Sequence, residues 1–441
     1  MSNRKAFLFF LSIVFLMAYS RFSAADPAGL PDTKDIDGST LGSVPSVDVA
    51  IKTFQARIKQ NPGDGVSYTL LGDQYIRQAR ETGDVSAYQG AEESLLRALE
   101  LLPNYSPAGS SLASVYYAQH EFWKALHLAE QVYENNPKNS QARIIMADSY
   151  LSLGDYKQAE LIYDQLAEAN ATPPLLARIA YLEELKGNTD RALELMRRAA
   201  GDALDSGGTK ENAAWYLLRV GDVYFNMGNL IESGEFYQAS LRVFDGYHLA
   251  LAGLGKVRAA EGKYDEAIDY YQHAVNIVPQ PEFLAALGDL YTITEQPERA
   301  QLQYATVEYI GKLAAFNQQV YNRQLANFYS DHDLKLDEAL RLALTELEFR
   351  KDIYGYGAAA WAHYKNGNFE QAQVLMDEAL ALGTRDARLY FHAGMIALAL
   401  GDEPRAREYL EQTLAINPRF SILDADQARE TLEVLQNTET K

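Results

Sequence analysis

The chain has 441 residues, 47% of them apolar and 23% charged, which is enough apolar side chain for a large buried core. A formal charge of −20 repels nucleic acid and anionic lipid heads, and favours basic partners or simply solubility. The absence of cysteine excludes disulfides, thiolate metal sites and thiol nucleophiles.

Residues 1–25 have the layout of a secretory signal peptide. Arg4 and Lys5 precede an apolar run from Ala6 to Ala18, and Ser23-Ala24-Ala25 offers a cleavage site before Asp26. The run is short for a membrane span of roughly 20 residues. Cleavage and export to a bacterial periplasm, cell envelope or the outside are therefore expected. Contact with a membrane would come only from a retained segment or through a partner. The leader carries three cations and no acid, so its removal takes the charge from −20 to −23. Residues 26–46, rich in Pro, Gly, Ser, Thr and Asp, read as a disordered linker. Residues 47–62 read as one amphipathic helix with Ala50 and Phe54 inward, a half-unit capping the repeats that begin at residue 63.

From residue 63 to 420 one pattern recurs. It is clearest from His248 to Pro279, where two short helical patterns flank Gly262. Leu251, Leu254, Gly255 and Arg258 share a face of the first; Ala267, Tyr271 and Ala274 share a face of the second. Gly262 ends the first helix in a left-handed conformation, Asp265 is placed to cap the second, and Pro279 stops it. Neither helix is long enough to hold in water alone, so each needs neighbours. Proline to proline, Pro103 to Pro137, the step is 34 residues; Ala326, Ala360 and Gly394 are again 34 apart. The pattern predicts about ten units. Extra residues around Glu81–Gln89 lengthen the first, and Val307–Gln319 is longer than a standard turn. A glycine-containing stretch at residues 201–212 reads as a surface loop and a possible hinge. Residues 421–441 read as a capping helix, from about Asp424 to Gln436, and a tail.

The period and motifs resemble the tetratricopeptide repeat, W-x2-L-G-x2-Y, then A-x3-F, then P. Gly221-Asp222-Val223-Tyr224 and Leu287-Gly288-Asp289-Leu290-Tyr291 match its first helix, while Arg258, His363 and Ala397 replace its tyrosine. The resemblance implies an all-α fold, a right-handed α-solenoid with a concave groove that binds peptides or proteins. Residues 320–420 also look like exported bacterial repeat proteins.

No catalytic constellation stands out. The seven histidines are scattered, there is no H-E-x-x-H and no G-x-S-x-G, and Gly253-Leu254-Gly255-Lys256 lies within a helix rather than in a phosphate loop. Asp331-His332-Asp333 is a turn whose local hydrogen bonding explains it better than a metal does. No enzyme activity, cofactor or metal is expected. In the groove, the first helices present Asp73, Ser114, Asp148, Tyr181, Asp222, Lys256 and Asp289 beside their packing positions. The four aspartates fit a basic partner, or are a solvated acidic face.

The last three units differ. Arg323 and Asn327 lie four apart on one helix, Arg388 and His392 on another, with Tyr354, Trp361 and Tyr364 between. These resemble the family's carboxylate clamp. The resemblance places Arg323 and Arg388 at its lysines and Asn327 at its first asparagine, while Ala358 and His392 depart from it. The expected function is that of a non-catalytic exported scaffold holding a protein or peptide, not nucleic acid. The competing expectation is a subunit of an envelope transport or assembly complex.

Overall fold

The computed structural model describes residues 30–39, 41, 45–316 and 322–438. The leader at residues 1–25 and the end of the tail lie outside them. Among the described residues there are 22 α-helices and no strand. Helix α1 is Val47–Gln60. Ten helix pairs follow: α2 Gly65–Thr82 and α3 Ala87–Leu101, α4 Ser106–Ala118 and α5 Phe122–Asn135, α6 Ser140–Ser152 and α7 Tyr156–Ala169, α8 Pro173–Leu185 and α9 Thr189–Asp205, α10 Lys210–Asn226 and α11 Leu230–Val243, α12 His248–Ala260 and α13 Tyr264–Ile277, α14 Pro281–Ile293 and α15 Pro297–Phe316, α16 Asn322–Asp331 and α17 Leu336–Phe349, α18 Ile353–Lys365 and α19 Phe369–Leu380, α20 Ala387–Ala399 and α21 Glu403–Ile416. Helix α22, Asp424–Thr438, closes the far end. The expected solenoid of ten repeats with capping helices is what the chain forms.

Small residues set the crossing within each pair. Gly255 lies on the ring of Tyr271 and Gly288 on the ring of Tyr304, each too close to leave room for a Cβ. Around these crossings Ala267, Ala274, Leu287 and Leu290 are buried. Burying such apolar surface, at about 25 cal/mol per Å², is what holds helices of 13 and 14 residues that would melt alone. Gly262 has φ +77°, as its place at a helix end requires. Asp265 does not cap α13: the N-cap is Lys263, and Asp265 sits in the first turn, where its charge meets the helix dipole.

The solenoid winds so tightly that its second turn rests on its first. The Ile353 amide donates to the Tyr156 hydroxyl at 2.9 Å across 197 positions of sequence, close to six repeats of 34. Asn417 donates to the Phe225 carbonyl at 2.7 Å across 192 positions. The Arg350 guanidinium lies 5.4 Å from the centre of the Phe122 ring. At this seam the hairpins of the first turn meet the inter-repeat loops of the second. Gly154 faces the Lys351 carbonyl, 2.5 Å from where a Cβ would stand, and Gly187 faces the Gly383 carbonyl still more closely.

Four sequence expectations need correction. The described part of residues 26–46 is ordered rather than a disordered linker. Leu30, Ile36 and Leu41 are buried in the core beside Val243, and Arg242 donates to the Thr33 and Ile36 carbonyls. Gly38 packs on Val243 much as Gly83 packs on Val278, so this strap continues the seam past the first helix pair. Residues 201–212 are not a loop: α9 runs to Asp205 because Ala199, Ala200, Ala203 and Leu204 extend its buried face, leaving only residues 206–209 between helices. The described part of Val307–Gln319 is helix, the end of the 20-residue α15. In α1 the buried positions are Val47 and Ile51, with Phe54 packed beside them.

Candidate functional site: a chamber on the solenoid axis

The even-numbered helices form the inner wall. Side chains of α10, α12, α14, α16 and α20 line an open-sided chamber of about 620 Å³, and residues 419–426 with Arg429 of α22 flank it. Apolar surface comes from Phe225, Phe283, Phe328 and Phe420, and charge from Asp222, Lys256, Glu282, Asp289, Arg323, Asp331, Arg388 and Arg419.

The wall aspartates are held from within. Tyr163 donates to Asp148 at 2.5 Å, Tyr237 to Asp222 at 2.8 Å and Tyr304 to Asp289 at 2.8 Å, each across 15 positions. Arg178 adds 2.8 Å to Asp148, Arg219 adds 2.7 Å to Asp222, and Ser111 donates to Asp73 at 2.7 Å. A carboxylate removed from water needs such donors. Burial first, and the adjacent carboxylate second, hold the phenols of Tyr163 and Tyr237 protonated. These four aspartates therefore do not present a free acidic wall. The repeated Asp-x14-Tyr spacing marks the arrangement in the sequence, where a reading confined to single helices passes over it.

The residues resembling a clamp are likewise bonded to one another. Arg323 lies 3.3 Å from Asp352, which is 2% exposed, caps α18 through the Gly355 amide at 2.7 Å and also accepts from Arg350. Arg388 pairs with Asp331, which accepts from the Trp361 indole at 3.0 Å. Trp361 lies between Tyr364, at 4.7 Å and 8°, and His392, at 3.9 Å and 5°. Trp361 and His392 are each 4% exposed and line no part of the chamber. The sequence suggests ligand contacts for both; in the structure both are packed in this ring stack, and only the Trp361 indole holds Asp331. Tyr354 packs into the cluster shared by α6, α7 and α8 at the seam. Of the expected residues, Asp222, Asp289, Arg323, Asn327 and Arg388 meet in the chamber; Asp73, Asp148, Tyr354, Trp361, Tyr364 and His392 do not.

His332 also lines the chamber. One ring nitrogen lies 2.7 Å from Asp289 and the other 2.7 Å from the Phe328 carbonyl, so both face acceptors. Burial lowers its pKa, but the Asp289 bond and charge outweigh that and raise it. Glu282, Arg419 and the segment before α22 were not anticipated; a period-based reading treats that segment as a cap and says nothing of what it covers.

No group of His, Asp and Glu among the described residues is arranged to hold a metal ion, and no described helix is long and apolar enough to cross a membrane.

A solenoid of helix pairs with an inner wall is the class that fold and site define. Tetratricopeptide-repeat models match residues 116–180, 211–280 and 358–419, so the chain carries tetratricopeptide repeats in these three stretches. Among curated proteins it is similar to the TPR repeat-containing protein YpiA of Bacillus subtilis, 21% identical over 281 residues, 61% of this chain and 62% of that one. It is also similar to the human protein O-mannosyl-transferase TMTC1, 23% identical over 202 residues, 44% of this chain and 22% of that one. It spans less than two thirds of either relative. Among solved structures it resembles a human IFIT1 dimer with PPP-AAAA, at 15% identity, 76% and 78% coverage and a TM-score of 0.49. Identities this low bear on the fold alone. A tetratricopeptide scaffold points in general to protein–protein interaction.

Proposed function

We propose that the protein is an exported, non-catalytic scaffold that holds a protein or peptide partner against the inner wall of its superhelix. The observation that carries this is the inner face that the first helices α10, α12, α14, α16 and α20 give the chamber. An extended segment lying there would meet Gln324 and Asn327, neither of which has a hydrogen bond to another side chain in the described structure. The leader layout of residues 1–25 supports export.

Two measurements test the reading. N-terminal sequencing of protein recovered from a cell-envelope fraction should begin near Asp26; an intact leader on soluble cytoplasmic protein would contradict export. Crosslinking with a photoreactive residue at Gln324 should trap a partner that the added Asn327→Trp substitution loses. Equal capture on the outer face, for instance from Leu161, would place the partner elsewhere.

A further inference from the structure

The chamber's donors and acceptors are out of balance. Asp222, Asp289 and Asp331 are each satisfied by at least two donors of the chain, and the exposed Glu282 has no side-chain donor among the described residues. Asp426 pairs with Arg429, and Asp424 accepts from Ser421 at 2.8 Å. The cations are less well served. Lys256 Nζ has no ion pair or hydrogen bond among the described residues; it rests 3.9 Å from the centre of the Phe225 ring. Arg388 gives one edge to Asp331, but its Nε is buried without a partner. A buried unpaired donor costs about 1–3 kcal/mol, more when it is charged. Burial first, with Arg388 and Arg219 adding to it, lowers the Lys256 pKa against the pull of Asp222 and Asp386.

The rest of the wall is apolar: Leu218, Phe225, Phe283, Phe328, Phe420 and Ile422. A volume of about 620 Å³, mostly apolar with a few converging polar groups and open on one side, is large enough for a small molecule. Residues 419–426 flank it.

We propose that the chamber binds a small organic anion with an apolar body, its acidic head on Lys256 and Arg388 and its body among the phenylalanines. This goes beyond the scaffold reading and does not depend on it. The acidic surface as a whole repels anions, so the discrimination is local. The ligand needs enough apolar surface to leave water and a single acidic group to use the free donors.

The test uses the chain without its leader, with 8-anilinonaphthalene-1-sulfonate as a fluorescent probe under native conditions. The probe should bind saturably. Octanoate should displace it, while 1-octanol and octylamine, which carry the same apolar body on a neutral or cationic head, should not. Lys256→Met should weaken octanoate at least tenfold, and Lys256→Arg should retain most of the affinity. Displacement by octanol as good as by octanoate would overturn the proposal, as would undiminished octanoate binding in Lys256→Met. Failure of the native chain to bind the probe would overturn it as well. Circular dichroism of both variants separates lost binding from lost fold.

Discussion

The two turns of the solenoid use the same hairpin chemistry under different loads. In the first turn, Gly154 and Gly187 end their helices with positive φ and also lie against the backbone of the second turn. In the second turn, Gly262, Gly367 and Gly401 have the same local conformation and nothing within 4 Å. The repeat motif asks only for a left-handed residue at these places. The seam asks in addition for no side chain, because backbone meets backbone there. One sequence signal thus serves two purposes, and only position along the superhelix tells them apart.

The sharpest way to break this comparison is substitution at matched glycines. Gly187→Ala should cost about 2–5 kcal/mol, combining the left-handed penalty of about 1–2 kcal/mol with overpacking of about 1–3 kcal/mol. Gly401→Ala should cost only the conformational part, about 1–2 kcal/mol. Chemical denaturation of both variants reads the difference; equal costs would mean the seam is not closed in solution.

Acid should loosen the seam next. His120 occupies the hairpin of the first turn that has no glycine, at φ 63° and against Phe122. Burial first, then Arg350 and Arg323 of the second turn, lower its pKa to about 4. A base depressed in the folded state stabilises the fold above its unfolded value, near 6.5, and that contribution is lost as pH falls toward about 4. Melting temperature should therefore drop through this window, and less so in His120→Asn, which keeps the left-handed backbone. An identical pH profile for the variant would remove His120 from the seam.

A smaller effect, about 1–3 kcal/mol, is expected from Arg323→Ala, which leaves the buried Asp352 with one donor fewer. Arg388→Ala should be milder, since the Arg388 and Asp331 side chains are more exposed, 42% and 14%, than those of Arg323 and Asp352, 17% and 2%. The reverse order in thermal melts would place the more important ion pair in the chamber rather than at the seam. The smallest effect belongs to His332. Its pKa is raised by Asp289, so its contribution is full below the unfolded value and fades as pH rises through the folded one. His332→Gln should flatten a slight loss of stability as pH rises above about 6.5.

The period of 34, the small residues at the crossings and the number of units were all legible, because each is fixed within one or two repeats. Gly288 beneath Tyr304 is the example. The seam was not legible: Tyr156 and Ile353 meet only because the pitch of the whole superhelix brings them together, and no local pattern encodes a pitch. The strap at residues 30–41 reads as a linker because Leu30, Ile36 and Leu41 follow neither helical nor strand spacing, and their burial depends on a surface about 200 residues away. In the candidate site, the inner positions of Asp222, Lys256, Asp289 and Arg388 followed from helical phase. Their partners did not, so Trp361 and His392 looked available when their faces were already covered.

Contact between the turns underlies both the chamber and the glycine asymmetry, and it can be measured directly. The chain has no cysteine, so the double substitution Asp155→Cys with Lys351→Cys can carry a donor and an acceptor dye without other changes. Energy transfer between them should be near complete in native buffer and should collapse in denaturant. Weak transfer in native buffer, with helicity intact, would show an open spiral and contradict the account.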